Sequence, residues 1–473
     1  MPTGRLFLRS TLSRQILQQI NSLTSLCNRL SQSACGVAKV AENDRYVLAL
    51  FIKCNKRKVS KYLRICLGLS ERDKQQRFLD YFNASFRQRG LPLNGTGSYS
   101  EDGTYTAVLT GDFPVGDGSI CITWKIVHHP DGTIPFIEVL PANLEEADLN
   151  LETAVQTFVM EILVSVIDKK IGKFFRRTAL HYVGPNLEGE YWLPGFRLAP
   201  AIPNDENPQM VNAERILYID HNVEAIDDVH ATTIAEGNAK CYAARLSLIL
   251  AIGLYRPPPE HKWFLRIPPD SPSIYSERFQ LGFVDSSPSK NVMPKKGAEC
   301  RLGSYRGSVL QPWGASGVLA CPTQIRQILR GVDNGEPRLK EAFDSCARLY
   351  QVAHVVGRMF PSVGMAYEIA AVEAITQAYP KKYKGFSDFM RQNAPPMEGL
   401  EKEGFEKFLD FLYGSVRSAH FHSGEFPFGE FLPVGIGVPD RESLERSDRR
   451  VSGYTIIRKS IMGWVLQMVD SKD

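Results

Sequence analysis

The spacing of apolar residues changes character near residue 336. Before that point, apolar and polar positions form short runs separated by turn residues. Tyr105–Thr110 and Ile120–Val127 are rich in β-branched and aromatic residues and are bounded by Gly-Asp and Pro-Asp-Gly turns, which predicts strands. A charged helix is expected at about Ser70–Arg89. A longer one is expected over Glu152–Phe175, with Ala154, Phe158, Ile162, Val166 and Ile171 at the apolar positions. Arg215–Ile219 reads as a strand, and Ala235–Leu254 as a helix stopped by Gly253 and Pro257. From Arg256 to about Gly314 the chain is dense in Pro, Ser and Gly, with a short strand at Trp263–Arg266, and reads as a loop-rich edge of the same α+β region.

After Gly335-Glu336-Pro337 the apolar positions recur every three or four residues. Helices are expected at about 337–360, 363–379, 401–423 and 452–470, with almost no strand signal between them. The third carries Phe405, Phe408, Leu412, Val416 and Ala419. The fourth carries Ile456, Ile457, Ile461, Trp464, Val465 and Met468. The expected fold is therefore an α+β region over 45–335 followed by an all-α, antiparallel four-helix bundle over 336–473. A basic segment over 1–44 precedes them. It has no acidic residue before Glu42, and Leu12, Ile16, Ile20, Leu23, Leu26 and Leu30 lie at helical spacing, as in a docked amphipathic helix or a transit peptide.

At 473 residues, 43% hydrophobic and 23% charged, the chain can bury two or three ordinary cores. Its net charge of +4 permits an anionic partner without requiring one. The nine cysteines are scattered and include no C-x-x-C pair, so they read as small buried hydrophobes in a reducing, cytoplasmic compartment. With no apolar run of about 18 residues, no membrane-spanning helix is expected. Phosphate-loop, dinucleotide and nucleophile-elbow motifs are missing, and no cofactor is expected. Asp220, His221, Glu224, Asp227, Asp228 and His230 gather possible metal ligands, but their spacing favours turns and helix capping.

Candidate chemistry concentrates in Leu412-Tyr-Gly-Ser-Val-Arg417-Ser418-Ala-His420-Phe-His422-Ser-Gly424. A permanently charged guanidinium near an imidazole that titrates near neutrality can cleave RNA without a metal. The Arg-x(4–6)-His spacing alone is cheap, because it also occurs at Arg176, Arg215, Arg256 and Arg348. On an ideal helix Arg417 and His422 lie about 140° apart. Ser418 nearly shares a face with His422, and His420 is the geometric rival for the base. In the second predicted helix, Glu373 is a lone carboxylate within Ile369–Ile375, suited to orienting Arg417 or to a plain ion pair. Arg446, Arg449, Arg450, Arg458 and Lys459, with Lys381, Lys382 and Lys384, can track an RNA backbone or form a solvated surface.

The motif and the order of these helices together resemble the Apea-like branch of the HEPN superfamily over about residues 337–473. The resemblance implies a homodimeric, metal-independent endoribonuclease that leaves 2′,3′-cyclic phosphate and 5′-hydroxyl ends. It also implies a sensing domain N-terminal to the nuclease, in a bacterial antiphage, abortive-infection or toxin system. Arg417 and His422 match the family's catalytic pair. Ser418 stands where many relatives carry Asn, Asp or His, and Ser-Gly follows His422 where one toxin branch has x-Tyr. The competing expectation is a non-catalytic module for dimerisation or RNA binding.

Overall fold

The computed structural model describes residues 63–67, 69, 71–141, 149–168, 171–201, 214–256, 263–266, 275–278, 292–311, 318–396, 402–432 and 440–470. The basic segment 1–44 lies outside them. Packing divides the chain into two units, residues 1–171 and 172–473.

In the first unit, β1 (Leu63–Cys66), α1 (Arg72–Gln88), β2 (Asn94–Tyr99), β3 (Tyr105–Val115), β4 (Gly118–His128), β5 (Phe136–Pro141) and α2 (Leu149–Asp168) follow one another. The strands form one antiparallel sheet in the order β1-β5-β4-β3-β2. Alternation along β4 buries Ile122, Trp124 and Ile126 on one face. Phe82 of α1 stands edge-on to Trp124 at 5.1 Å, and Phe86 edge-on to Phe158 of α2 at 5.1 Å. Among the described residues one helix, Asn150–Asp168, is long and apolar enough to cross a membrane by length and composition. Its Val155, Phe158, Val159, Ile162, Leu163 and Val166 are buried inside the unit, the pattern of a core helix. The helix ends before the predicted Phe175 because Gly172 onward is claimed by a strand.

In the second unit, β6 (Gly172–Val183), β7 (Tyr191–Leu193), β8 (Phe196–Pro200) and β9 (Glu214–Ala225) make an antiparallel sheet ordered β6-β9-β8-β7. β6 and β9 pair continuously from Gly172↔Ala225 to Val183↔Glu214. The short strands β10 (Trp263–Arg266) and β11 (Tyr275–Arg278) pair with each other. α3 (Asp228–Leu250) starts at Asp227, whose carboxylate accepts the His230 backbone N–H at 2.7 Å, the capping role read from the sequence. The chain then runs through α4 (Ile325–Asp333), α5 (Pro337–Val356), α6 (Pro361–Ala378), α7 (Phe386–Asn393) and α8 (Lys402–Asp410). It continues through a π-helical stretch (Phe411–Ser418), α9 (Ala419–Ser423) and α10 (Arg441–Asp470). Pro337 and Pro361 open α5 and α6, where a missing N–H costs nothing.

The expected all-α four-helix bundle does not form. α4 and α7 are additional helices, and the third predicted helix is interrupted by a π turn. The helices also share one core with the sheet: Leu198, Leu217 and Ile219 lie in the same cluster as Leu246, Phe343, Ile369, Leu412, Ile461 and Trp464. The reason is α3, in which every residue from Ala243 to Leu250 is buried. Apart from Arg245 and Ser247 this stretch is apolar, and a helix end with apolar side chains all round must be covered on all sides. Gly335–Pro337 is therefore a turn between two helices that pack into this same core.

Buried cations join the elements. Arg245 of α3 grips Asp344 of α5 through Nε–Oδ1 (2.7 Å) and Nη2–Oδ2 (3.0 Å). Arg458 of α10 donates to the Leu248 and Ile249 carbonyls at the end of α3. Arg197 is fully buried between Glu190 (Nε–Oε2, 2.8 Å) and Asp220 (Nη1–Oδ2, 2.6 Å), and Arg177 holds Asp220 from the other side at 2.7 Å. Arg197→Ala is expected to lower unfolding stability by about 3–5 kcal/mol, because it leaves the buried Glu190 without its cation and Asp220 with Arg177 alone. Urea denaturation checks this; a loss well under the cost of a surface pair shows the carboxylates relax to solvent.

Candidate functional site

The Arg417 segment is built on a widened helical turn. At Phe411–Ser418 the backbone bonds at π spacing, and the Ala419 N–H reaches the Gly414 carbonyl five residues back. Such turns insert a residue into an α-helix and recur at functional sites. Leu412 and Val416 stay buried on the inner side. Gly424 adopts φ 67°, ψ 26°, a left-handed conformation that costs glycine little, and ends the helix where the sequence suggested.

Arg417 points to Glu373 of α6. Its Nη2 and Nε both donate to Glu373 Oε2, at 3.0 and 3.3 Å. The side chains keep 28% and 17% exposure, so the pair is half-buried and one edge of the guanidinium remains open. The Phe421 and Tyr413 rings flank it, with centroids 5.4 and 5.9 Å from the guanidinium carbon. The contact is an ion pair, the geometry that both roles open to Glu373 require.

The histidines are not drawn to that pair. His420 Nδ1 lies 3.2 Å from the Glu425 carbonyl, and its ring packs against Phe421 and Phe426 at 5.3 and 5.1 Å. With Nδ1–H donating to the carbonyl, Nε2 is left as an acceptor. His422 is exposed and makes no side-chain hydrogen bond among the described residues, and Ser418 is half-buried. The fold thus joins Arg417 to Glu373 and leaves His420 and His422 within the next turn as separate, available imidazoles.

Other candidates are absorbed into structure. Arg176 pairs with Asp228, and His181 with Glu214. Asp220 is saturated by Arg177 and Arg197. Arg458 is buried against carbonyls and cannot follow an RNA backbone, and Arg446 pairs with Glu442. Lys381, Lys382 and Lys384 are exposed.

A buried pair between α5 and α6, the helix that carries Glu373, was not anticipated. His354 Nε2 lies 2.9 Å from Glu368 Oε1, and Glu368 is fully buried with Oε2 unpartnered. Tyr350 stacks on the imidazole at 4.3 Å. A second carboxylate in the apolar run Met365–Ala371 was its only sign in the sequence. Burial holds the Glu368 pKa well above the carboxylate range despite Arg458. Burial and Arg458 together depress that of His354. Both shifts favour the uncharged forms of the two groups.

No family model, curated protein or solved structure matches this chain.

The signs of the two shifts oppose each other. The His354 penalty grows as pH falls below its unfolded value near 6.5. The Glu368 penalty grows as pH rises above its unfolded value near 4.5. Glu368→Gln keeps an N–H donor and removes the second penalty. The variant is expected to gain on the order of 1–3 kcal/mol of stability at alkaline pH and to lose that advantage under acid. Chemical denaturation across pH checks this, and an unchanged pH profile would exclude a neutral Glu368.

Proposed function

We propose that this chain is a metal-independent endoribonuclease of HEPN type, with Arg417 as its phosphate-binding group. The half-buried Arg417–Glu373 pair carries the reading. A carboxylate that fixes the guanidinium from behind leaves its open edge to donate to a phosphate, where charge grows as the scissile bond breaks. The flanking Phe421 and Tyr413 offer stacking surfaces to unpaired bases, and exposed Lys381, Lys382 and Lys384 offer cations to the backbone.

RNA supplies its own nucleophile. A neutral His422 takes the proton of the 2′-OH, that oxygen attacks the adjacent phosphorus, and the 5′-oxygen leaves with a proton returned to it. Products end in a 2′,3′-cyclic phosphate and a 5′-hydroxyl. Since His422 and Arg417 do not meet within one chain, the reading places the complete centre at a two-fold homodimer, each copy adding its pair. A cytoplasmic antiphage or abortive-infection role, with the remainder of the chain sensing a trigger, is the corresponding biology.

His422→Ala is expected to reduce cleavage by about 10²–10⁴-fold, and Arg417→Ala by at least about 10²-fold. Mapping of RNA ends after expression of parent and variants, with and without phage challenge, reads this. Loss in His420→Ala but not in His422→Ala reassigns the base. Identical RNA ends from parent and Arg417→Ala reject cleavage. RNA affinity that survives loss of both histidines but weakens without Arg417 points to the non-catalytic RNA-binding module.

A further inference from the structure

Helices α3 and α5 enclose a cavity of about 250 Å³ against strand β6, and none of its lining residues belongs to the Arg417 set. From α5, Asp344, Arg348 and Gln351 reach it at helical i, i+4, i+7 spacing, which places them on one face. From α3 come Lys240, Cys241 and the small residues Ala243 and Ala244, and from β6 the floor residue Leu180. Arg256, just past α3, completes the rim. Leu180, Ala243 and Ala244 are at most 2% exposed, so the floor is apolar and part of the core.

The charges around this floor do not balance. Asp344 is the sole carboxylate lining the cavity among the described residues, and both its oxygens are taken by Arg245. The Gln351 amide donates to the Leu254 carbonyl. Among the described residues Arg348 bonds only the neutral Ser345 hydroxyl. Arg256 pairs with Glu236 at 2.7 Å, an exposed pair that a ligand can outcompete. Lys240 is exposed and has no ion pair among the described residues. Three cations therefore surround an apolar floor with no uncommitted anion among the described residues.

We propose that this cavity is a binding site for a small phosphorylated organic molecule, up to the size of a nucleoside monophosphate. The phosphate would sit among Lys240, Arg256 and Arg348, and the less polar body on Leu180, Ala243 and Ala244. Guanidinium groups favour phosphate because their parallel N–H donors match its oxygens. The volume lies just below the range of about 300–1,000 Å³ common for drug-sized ligands, which limits the occupant to a small molecule. Because α3 and α5 both enter the shared core, occupancy would clamp the two helices together. The site stands whether or not the chain cleaves RNA.

The test uses the full chain with adenosine monophosphate, inorganic phosphate and adenosine as probes. Calorimetry is expected to show binding of the monophosphate that weakens with salt, weaker binding of phosphate, and weakest binding of adenosine. Lys240→Gln and Arg348→Gln are each expected to weaken monophosphate binding by at least about tenfold, the loss of one charge-assisted hydrogen bond. Both residues are exposed, and an unchanged melting temperature confirms the fold. Cys241 supplies an independent readout, since it is exposed and lines the cavity, whereas exposed Cys121 does not. Bound monophosphate should slow alkylation of Cys241 but not of Cys121, read peptide by peptide in a mass spectrometer. Absence of binding by both the monophosphate and phosphate overturns the proposal. So does adenosine binding as well as its monophosphate, affinity untouched by either substitution, or equal alkylation of the two thiols with and without ligand.

Discussion

The second unit depends on the C-terminal half of α3. Eight consecutive residues, Ala243–Leu250, are buried, so this helix has no solvent face at its end. Covering it takes a sheet on one side and helices on the other. Leu217 and Ile219 of β9, Phe343 of α5 and Ile461 of α10 consequently meet in one cluster. Non-directional burial of this kind sets how many elements must converge, and directional interactions then set their register.

Three arginines provide those directions. Arg197 neutralises two buried carboxylates within the sheet region, Arg245 ties α3 to α5, and Arg458 satisfies carbonyls at the end of α3. The last of these is needed because a helix terminus leaves carbonyls without intrahelical partners. Each cation is matched by acceptors at hydrogen-bond distance, which repays part of its desolvation. The His354–Glu368 pair reaches neutrality by the opposite route, by keeping a proton on the acid.

The Arg417 region uses the same physics at lower burial. Glu373 holds the guanidinium through one oxygen while aromatic rings flank it, so the group is oriented without being consumed. The π turn places this arginine at the edge of the core rather than within it, since Leu412 and Val416 keep the inner positions. The phosphate-binding role proposed for Arg417 requires that compromise: fixed enough to aim and open enough to be reached.

Local elements were legible in the sequence because their causes are local. β-Branched and aromatic residues between turn signals predicted β3 and β4. Three-four periodicity predicted α5, α6 and most of α10. Gly424 marked a helix end through its own conformational preference, whereas the helix expected from Ala235 begins at Asp228, capped by Asp227 from within the segment read as turn and cap. Arg417 could be singled out from its neighbours, and Glu373 from its isolation in an apolar stripe. Tertiary structure alone decided that the helices would join the sheet's core, that Glu373 would meet Arg417 across 44 residues, and that Arg458 would turn inward. Periodicity records which face of an element avoids water, but it says nothing about which other element will cover that face. The covering partner is chosen by burial and charge compensation between residues far apart in the chain, and these exist only once the chain is folded.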